Sequence, residues 1–97
     1  MRAKTESWKE QLLESLKDPE AAASYLSACL EDGKPEVFLL ALRDVAEARG
    51  GIRTLSERTR LNRENLYRML SESGNPTLAS LGPLLSSLGL RLAVETK

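Results

Sequence analysis

The fold of this chain is decided at residues 52–70, IRTLSERTRLNRENLYRML, whose spacing predicts two short helices joined by a tight turn. Each helix carries apolar or small residues four positions apart, so both can contribute to one core. These pairs are Leu55 with Thr59 and Leu66 with Leu70. Asn62 stands where the second helix begins, and its side-chain oxygen can accept from a free backbone N–H there. The segment is therefore predicted to be a pair of helices that share a core.

The second of these helices is predicted to turn a polar face away from the core. This face carries Arg63, Glu64, Asn65, Tyr67 and Arg68. In a helix-turn-helix, exposed residues at the start of the second helix contact base edges in the major groove of DNA. The segment is thus a candidate DNA-binding surface.

Charge cancels over the whole chain, with 14 basic and 14 acidic residues, but it is unevenly distributed. Residues 1–42 hold five basic and eight acidic side chains, whereas residues 43–70 hold seven and four. All seven basic residues of this middle segment are arginines, whose planar guanidinium binds phosphate or guanine through two hydrogen bonds. Arg53 and Arg60 are accordingly candidate phosphate contacts. Individual arginines can also be surface residues only, paired locally with Asp44, Glu47, Glu57 or Glu64.

Composition predicts an all-α protein without a catalytic site. Leucine and alanine dominate the 97 residues, which suffice for one domain. No stretch approaches the roughly 20 apolar residues that span a bilayer, so we expect a cytoplasmic protein. The single cysteine, Cys29, cannot form a disulfide within the chain and is predicted to be a small buried residue. The chain has no histidine, no cysteine pair and no glycine-rich phosphate loop, so we expect no enzyme, no metal and no cofactor.

Residues that typically begin or end helices divide the chain further. Residues 1–17, with Trp8, Leu12, Leu13 and Leu16 near helical spacing, are predicted to be an N-terminal helix or arm, and residues 18–97 to be one domain. Asp18 and Pro19 begin a helix that ends near Gly33. Its apolar stripe comprises Ala22, Tyr25, Leu26, Cys29 and Leu30.

The flanking helices are defined in the same way. Pro35 begins a helix that buries Phe38, Ala41, Leu42 and Val45 and ends at Gly50 and Gly51. Either Gly51 caps the next helix, or that helix begins later, at a capping box formed by Thr54 and Glu57. Thr77 is predicted to cap a last helix that contains Pro83 just past its first turn. Its inward residues are predicted to be Leu78, Leu81, Leu85 and Leu88.

The end of the chain alternates apolar and polar residues with period two, which predicts a β-strand. The strand comprises Leu90, Arg91, Leu92, Ala93, Val94 and Glu95. One strand is unstable alone, so we expect it to pair with the same segment of a second copy across a two-fold axis. Antiparallel pairing centred on Ala93 would place Arg91 opposite Glu95 of the other copy. The alternative is a tail packed on its own domain.

Two runs carry a family resemblance. LSERTRLNRENLYRML (55–70) followed by GNPTLASLGPLLSSLGL (74–90) resembles the XRE, or Cro/CI-type, helix-turn-helix. DPEAAASYLSACLEDGKPEVFLLALRDVAEARGG (18–51) upstream and LGLRLAVE (88–95) downstream are similar to the probable addiction-module antidote family, the HigA-like antitoxins of bacteria.

The resemblance implies a five-helix, lambda-repressor-like DNA-binding domain that is dimeric, binds an inverted-repeat operator in double-stranded DNA and represses its own operon. It also implies a basic, RelE-like, mRNA-cleaving toxin as partner. On the matching positions, base-edge contacts fall to Arg63, Glu64 and Arg68, with Asn62 and Asn65 nearby. Phosphate contacts fall to Tyr67, Ser71, Ser73 and Asn75. The chain departs from the family at the turn, where Arg60 replaces the usual glycine; a left-handed conformation there would cost about 1 kcal/mol. The alternative function is a solitary XRE-family repressor without a toxin.

Overall fold

The part of the chain that is described folds into six α-helices joined by short turns. A computed structural model describes residues 2–71 and 73–97, and their side chains from residue 8 onward. The helices are α1 (Arg2–Ser15), α2 (Pro19–Glu31), α3 (Pro35–Ala48), α4 (Gly51–Thr59), α5 (Arg63–Met69) and α6 (Leu78–Ser87). The all-α prediction is confirmed. Among these described residues, none of the helices combines the length and the apolar character that a bilayer crossing demands.

Single residues predicted boundaries of α2 and α3, and the structure has these boundaries at those residues. Asp18 caps α2 by accepting from the Glu20 backbone N–H at 3.2 Å. Pro19 and Pro35 are the first residues of α2 and α3. Gly33, between the two helices, has a φ of 85°, the left-handed conformation that ends a helix.

Helix α3 forms the centre of the core. It packs against α1, α2 and α4, while α4 also packs against α5 and α6. The buried residues of α3 are Phe38, Leu39, Ala41, Leu42, Val45 and Ala46. Leu55 of α4 and Leu66 of α5 are both fully buried, so the two helices share one core as predicted.

Helix α1 is attached to the core by an apolar end and a polar network. Leu16, just beyond α1, is only 2% exposed. Lys9 Nζ lies 3.7 Å from the Asp44 carboxylate and 3.8 Å from that of Glu47. Tyr25 Oη donates to the same Asp44 at 3.0 Å. Burial, together with this hydrogen bond, raises the pKa of Tyr25 to about 12. The network therefore ties α1 and α2 to α3.

The start of α4 differs from both sequence alternatives. Gly50, with φ 112°, occupies the cap position, and Gly51 is already the first helical residue. The Thr54 hydroxyl donates to the Gly50 carbonyl at 3.0 Å instead of accepting from a backbone N–H. A capping box that begins at Thr54 is therefore wrong.

Two leucines that were predicted to face the core are exposed. Leu30, at the end of the α2 stripe, is 54% exposed, and Leu78, the first residue of α6, is 75% exposed. Each lies in a terminal turn that no described element covers. By contrast, Leu85 and Leu88 are buried as predicted, and Cys29 is half-buried.

The predicted C-terminal strand is not formed. Residues 90–97 belong to no helix or strand, because a strand needs a ladder partner and the described residues contain no second strand to pair with. Instead, the Leu90 N–H donates to the Leu85 carbonyl at 2.8 Å, which ends α6, and the half-buried Leu90 side chain packs on the core. Beyond Leu90, no backbone hydrogen bond joins the segment to any other described residue.

Candidate nucleic-acid interface

The turn between α4 and α5, residues 60–62, is held by side chains of α4. Ser56 Oγ donates to the Leu61 carbonyl at 2.8 Å. Thr59 Oγ1 donates to the Leu55 carbonyl at 2.7 Å and accepts from the Leu61 N–H at 3.2 Å. The sequence predicted Thr59 only as an apolar or small contact, because the partners of its hydroxyl depend on the path of the turn. These three bonds fix the angle between the two helices.

Arg60 adopts a left-handed backbone at this turn, with φ 65° and ψ 11°. It is the only non-glycine residue with positive φ in the described part of the chain. Its backbone N–H donates to the Ser56 carbonyl at 3.0 Å, which ends α4. The turn thus has the geometry that a glycine would adopt without strain, and its arginine side chain is exposed.

Both ends of α5 are fixed. Asn62 Oδ1 accepts from the Asn65 N–H at 2.7 Å, which confirms the predicted cap. At the other end, Arg43 Nε of α3 donates to the Leu70 carbonyl at 3.1 Å. Since Leu66 and Leu70 are buried, the helix cannot rotate about its axis without unpacking the core.

The opposite face of α5 is open to solvent. The predicted base-contacting residues are all exposed on it: Asn62, Arg63, Glu64, Asn65 and Arg68. Tyr67, predicted to contact phosphate, is 63% exposed. Neither Arg63 nor Arg68 forms an ion pair with any side chain that the structure describes. Their guanidinium groups are therefore available to an anionic partner.

The structure assigns the seven arginines of the middle segment to two groups. Arg43 holds the end of α5, Arg58 donates to the Ser87 carbonyl at 3.3 Å, and Arg49 is half-buried, so these three are structural. Arg43 and Arg58 are exposed as well, but the side chains of the other four exposed arginines donate to no carbonyl of the described chain: Arg53, Arg60, Arg63 and Arg68. Arg53 is paired loosely with Glu57, at 3.8 Å. Local pairing of arginines with Asp44 and Glu47 is not found among the described side chains, because Lys9 lies against both.

The loop after α5 forms a groove with α6. Ser73 and Asn75 are exposed, whereas Ser71 is half-buried and its hydroxyl donates to the Arg68 carbonyl at 2.8 Å. The groove measures about 250 Å³, and Asn65 and Arg68 form one of its walls. Its polar lining on the other side comprises Asn75, Thr77 and Ser80. The sequence predicted Thr77 as the cap of α6, and the Ser80 N–H, which donates to its hydroxyl at 3.2 Å, confirms that role. The position of Thr77 beside α5 was not predicted from the sequence.

The predicted dimerisation residues form an exposed segment. Leu90 is half-buried, while Arg91, Leu92, Ala93, Val94 and Glu95 are exposed. Val94 is 99% exposed and Leu92 45%. The segment therefore presents both apolar side chains and free backbone groups to solvent.

Comparison with known proteins relates the chain to a family of addiction module antidote proteins. A family model described as "probable addiction module antidote protein" matches residues 7–96. A curated relative from Haemophilus influenzae, an uncharacterized protein, is 34% identical over 92 residues, which cover 94% of each chain. No solved structure matches the chain.

The family match begins within α1 and extends to the C-terminal segment, and the relative covers nearly the same length. The family consists of regulatory proteins that are not enzymes. The chain belongs to the family of probable addiction module antidote proteins.

Proposed function

We propose that the chain is the antitoxin of a type II toxin-antitoxin operon in the bacterial cytoplasm, with two activities. It binds operator DNA as an XRE-type, HigA-like repressor of its own operon, and it neutralises a RelE-like toxin that cleaves mRNA. Membership of the antidote family supports the antitoxin role. The observation that carries the DNA-binding role is the capped, exposed face of α5, which presents two guanidinium groups on a helix fixed at both ends.

Helix α5 has dimensions that suit the major groove. Its seven residues span about 10 Å, and a B-DNA major groove is about 12 Å wide. Arg63 and Arg68 would each contact guanine through two hydrogen bonds, worth about 1 to 3 kcal/mol of discrimination against a wrong base. Glu64, Asn62 and Asn65 lie on the same face and complete the base contacts.

Phosphate contacts would flank this face. Arg53, Arg60 and Tyr67 are exposed around α5, and Ser73 and Asn75 follow it in the loop. Ser71 differs from these residues, because its hydroxyl can donate to a phosphate only by releasing the Arg68 carbonyl. We therefore propose Ser71 as the weakest of the six phosphate contacts.

Dimerisation would place two copies of α5 on one face of the duplex. In the segment 90–95, the backbone groups beyond Leu90 bond to no described residue and Val94 is fully exposed, which suits antiparallel pairing with a second copy. Two recognition helices about 34 Å apart would require an operator that is an inverted repeat with half-sites one helical turn apart. Sedimentation equilibrium of Val94→Asp tests the pairing: we expect the dimer to dissociate at a protein concentration that keeps the wild type dimeric.

Gel-shift titration of the purified protein on the DNA upstream of its own gene tests the proposed function. Arg63→Ala and Arg68→Ala should each weaken binding to this DNA more than binding to a random duplex. Lys17→Ala is the matched control, since it removes one exposed positive charge from the turn between α1 and α2 and should leave both affinities unchanged. Equal losses of affinity for both duplexes would mean that the two arginines contact phosphates and do not contact base edges.

The proposed neutralisation of a toxin is tested separately. The protein encoded beside this chain should be small and basic, bind the chain after purification, and lose its mRNA cleavage in the complex. If no such protein binds while the gel shift succeeds, the chain is a solitary repressor.

A further inference from the structure

The arginine that holds the C-terminal end of α5 lies on another helix. Arg43 belongs by sequence to the arginine-rich middle segment, but it is part of α3, and its Nε donates to the Leu70 carbonyl at 3.1 Å. Leu70 is the C-cap of α5, so its carbonyl is one of the last four, which no N–H of the helix itself can reach. Among the described residues, this is the only hydrogen bond that joins α3 to α5 or its cap.

The two ends of α5 are held in different ways. The N-terminal end is capped by Asn62, and the turn before it is bonded to side chains of α4. At the C-terminal end, Ser71 Oγ donates to the Arg68 carbonyl at 2.8 Å, and Gly74 lies so close to the Met69 carbonyl that a side chain there would clash with it. These two contacts join the last turn only to the loop that follows it. The described hydrogen bond from α3 therefore ties this turn to the rest of the domain.

A change in the tilt of α5 would displace Arg68 more than Arg63. Burial of Leu66 and Leu70 opposes rotation about the axis, but a helix of seven residues has little stability of its own. Arg68 lies five residues beyond Arg63, about 7.5 Å along the axis, so a tilt of about 10° about the N-terminal end moves it by about 1.3 Å. A binding group must be held to within about 0.5 Å of its productive position. A small tilt would thus disturb the second arginine and spare the first.

We propose that Arg43 is a positioning residue for base recognition: through the Leu70 carbonyl it fixes the last turn of α5, and thereby the discrimination between bases by Arg68. This inference rests on the proposed DNA-binding function and adds to it a residue that contacts no base. Arg63 and Arg68 are about 7.5 Å apart along the helix, and successive bases are about 3.4 Å apart, so the two arginines would contact base pairs about two steps apart. Their contributions can therefore be measured separately.

Two substitutions at position 43 separate the hydrogen bond from the charge. In Arg43→Gln the amide nitrogen is bonded to Cδ, as the arginine Nε is, so this variant can donate to the Leu70 carbonyl without a positive charge. Arg43→Met keeps a stem of similar length but has neither donor nor charge. Arg58→Met is the matched control, because Arg58 is also exposed and donates to a carbonyl, that of Ser87 in α6, at 3.3 Å.

The test is gel-shift titration of each variant on the operator and on operators with one base pair changed. Arg63→Ala and Arg68→Ala first identify the base pair at which each arginine discriminates. At the base pair of Arg68, we expect Arg43→Met to lose most of the roughly 5- to 150-fold discrimination that a two-bond arginine contact supplies. At the base pair of Arg63 it should discriminate as the wild type does. Arg43→Gln and Arg58→Met should discriminate at both base pairs as the wild type does.

Several outcomes would overturn the inference while leaving the proposed function intact. One is full discrimination by Arg43→Met at the base pair of Arg68, and another is an equal loss at both base pairs. A third is an equal loss of affinity by Arg43→Gln and Arg43→Met on every duplex, with the slope of log K against log salt flattened by about 0.9, which would make Arg43 a direct phosphate contact. If the wild type itself discriminates between no duplexes, the proposed function fails first.

A measurement on the wild type keeps the inference testable if Arg43→Met does not fold. In ¹⁵N-labelled protein, the Nε–H of Arg43 should be protected from exchange with water in the free protein. It should remain protected in the operator complex, because the Leu70 carbonyl stays its acceptor. Rapid exchange of this Nε–H in either state would show that the hydrogen bond is not maintained and would contradict the inference.

Discussion

Replacing Arg60 by glycine should stabilise the protein and weaken its binding to DNA. Arg60 is held at φ 65° by the bond from its N–H to the Ser56 carbonyl, and a Cβ in this region costs about 1 to 2 kcal/mol. Glycine loses more conformational freedom on folding, which offsets part of that gain. We therefore expect Arg60→Gly to raise the free energy of unfolding by about 1 kcal/mol. For a chain of this size, that corresponds to a melting temperature about 4 to 8 °C higher.

The assay is thermal and urea unfolding of three proteins: wild type, Arg60→Gly and Arg60→Ala. Arg60→Ala is the matched control, because it removes the guanidinium but keeps the Cβ and thus the strain. Stabilisation by glycine alone would assign the effect to the backbone. Equal stability of the glycine and alanine variants would refute the strain argument, since the two differ only in the Cβ methyl group.

The same two variants test the phosphate contact of Arg60. If its guanidinium binds a DNA phosphate, both variants should lose affinity for operator and random duplex alike, and the slope of log K against log salt should flatten by about 0.9. An unchanged slope in both variants would contradict that contact. The backbone strain at Arg60 would then not be offset by a contact of its side chain with DNA.

Three further predictions concern the elements that position α5 and the core. Asn62→Ala should lower the free energy of unfolding by about 1 kcal/mol in urea, since it removes the cap of α5; no loss would contradict the capping role. Ser56→Ala should cost about 1 kcal/mol by the same measurement, because the Leu61 carbonyl loses its donor, and an unchanged stability would mean that water replaces the hydroxyl. Because the pKa of Tyr25 is raised to about 12 in the folded protein, its contribution to stability should be complete below pH 10 and be lost as the pH rises from 10 to 12. Urea unfolding across this range should show a steeper decline for the wild type than for Tyr25→Phe, and parallel curves would contradict the shift.

Local signals in the sequence predicted most of the helix boundaries. Asp18, Pro35, Asn62 and Thr77 each begin a helix by a mechanism that needs only neighbouring residues, and the structure has a helix at each. The face of α5 could be predicted for the same reason, because Leu66 and Leu70 fix its orientation by spacing alone.

The remaining features depend on tertiary packing, which spacing does not determine. Leu30 and Leu78 fit helical stripes but lie where no described element covers them, so their exposure depends on where neighbouring helices end. Arg43 and Arg58 belong by composition to the basic cluster, yet their partners are carbonyls 27 and 29 residues away in the chain. The C-terminal alternation predicts a strand, but its ladder requires a partner strand that the described residues of one chain do not provide.

The polar groove beside α5 could not be predicted either. Thr77 is a cap by local sequence, but its closeness to Asn65 and Arg68 follows from the way α6 packs on α4. That packing rests on buried leucines such as Leu84, Leu85 and Leu88, which are equally compatible with several helix arrangements. A local pattern thus predicts a residue's role within its helix and not its neighbours across the fold.

Titration of the ¹⁵N-labelled protein with a duplex from its own upstream region, followed by amide chemical shifts at low salt, tests the central claim most directly. If the exposed face of α5 contacts the operator, the largest shifts should fall on residues 62–68 and on the loop residues 73–77. Shifts confined to the α2–α3 turn and the C-terminal segment, or no shifts at all, would contradict the account.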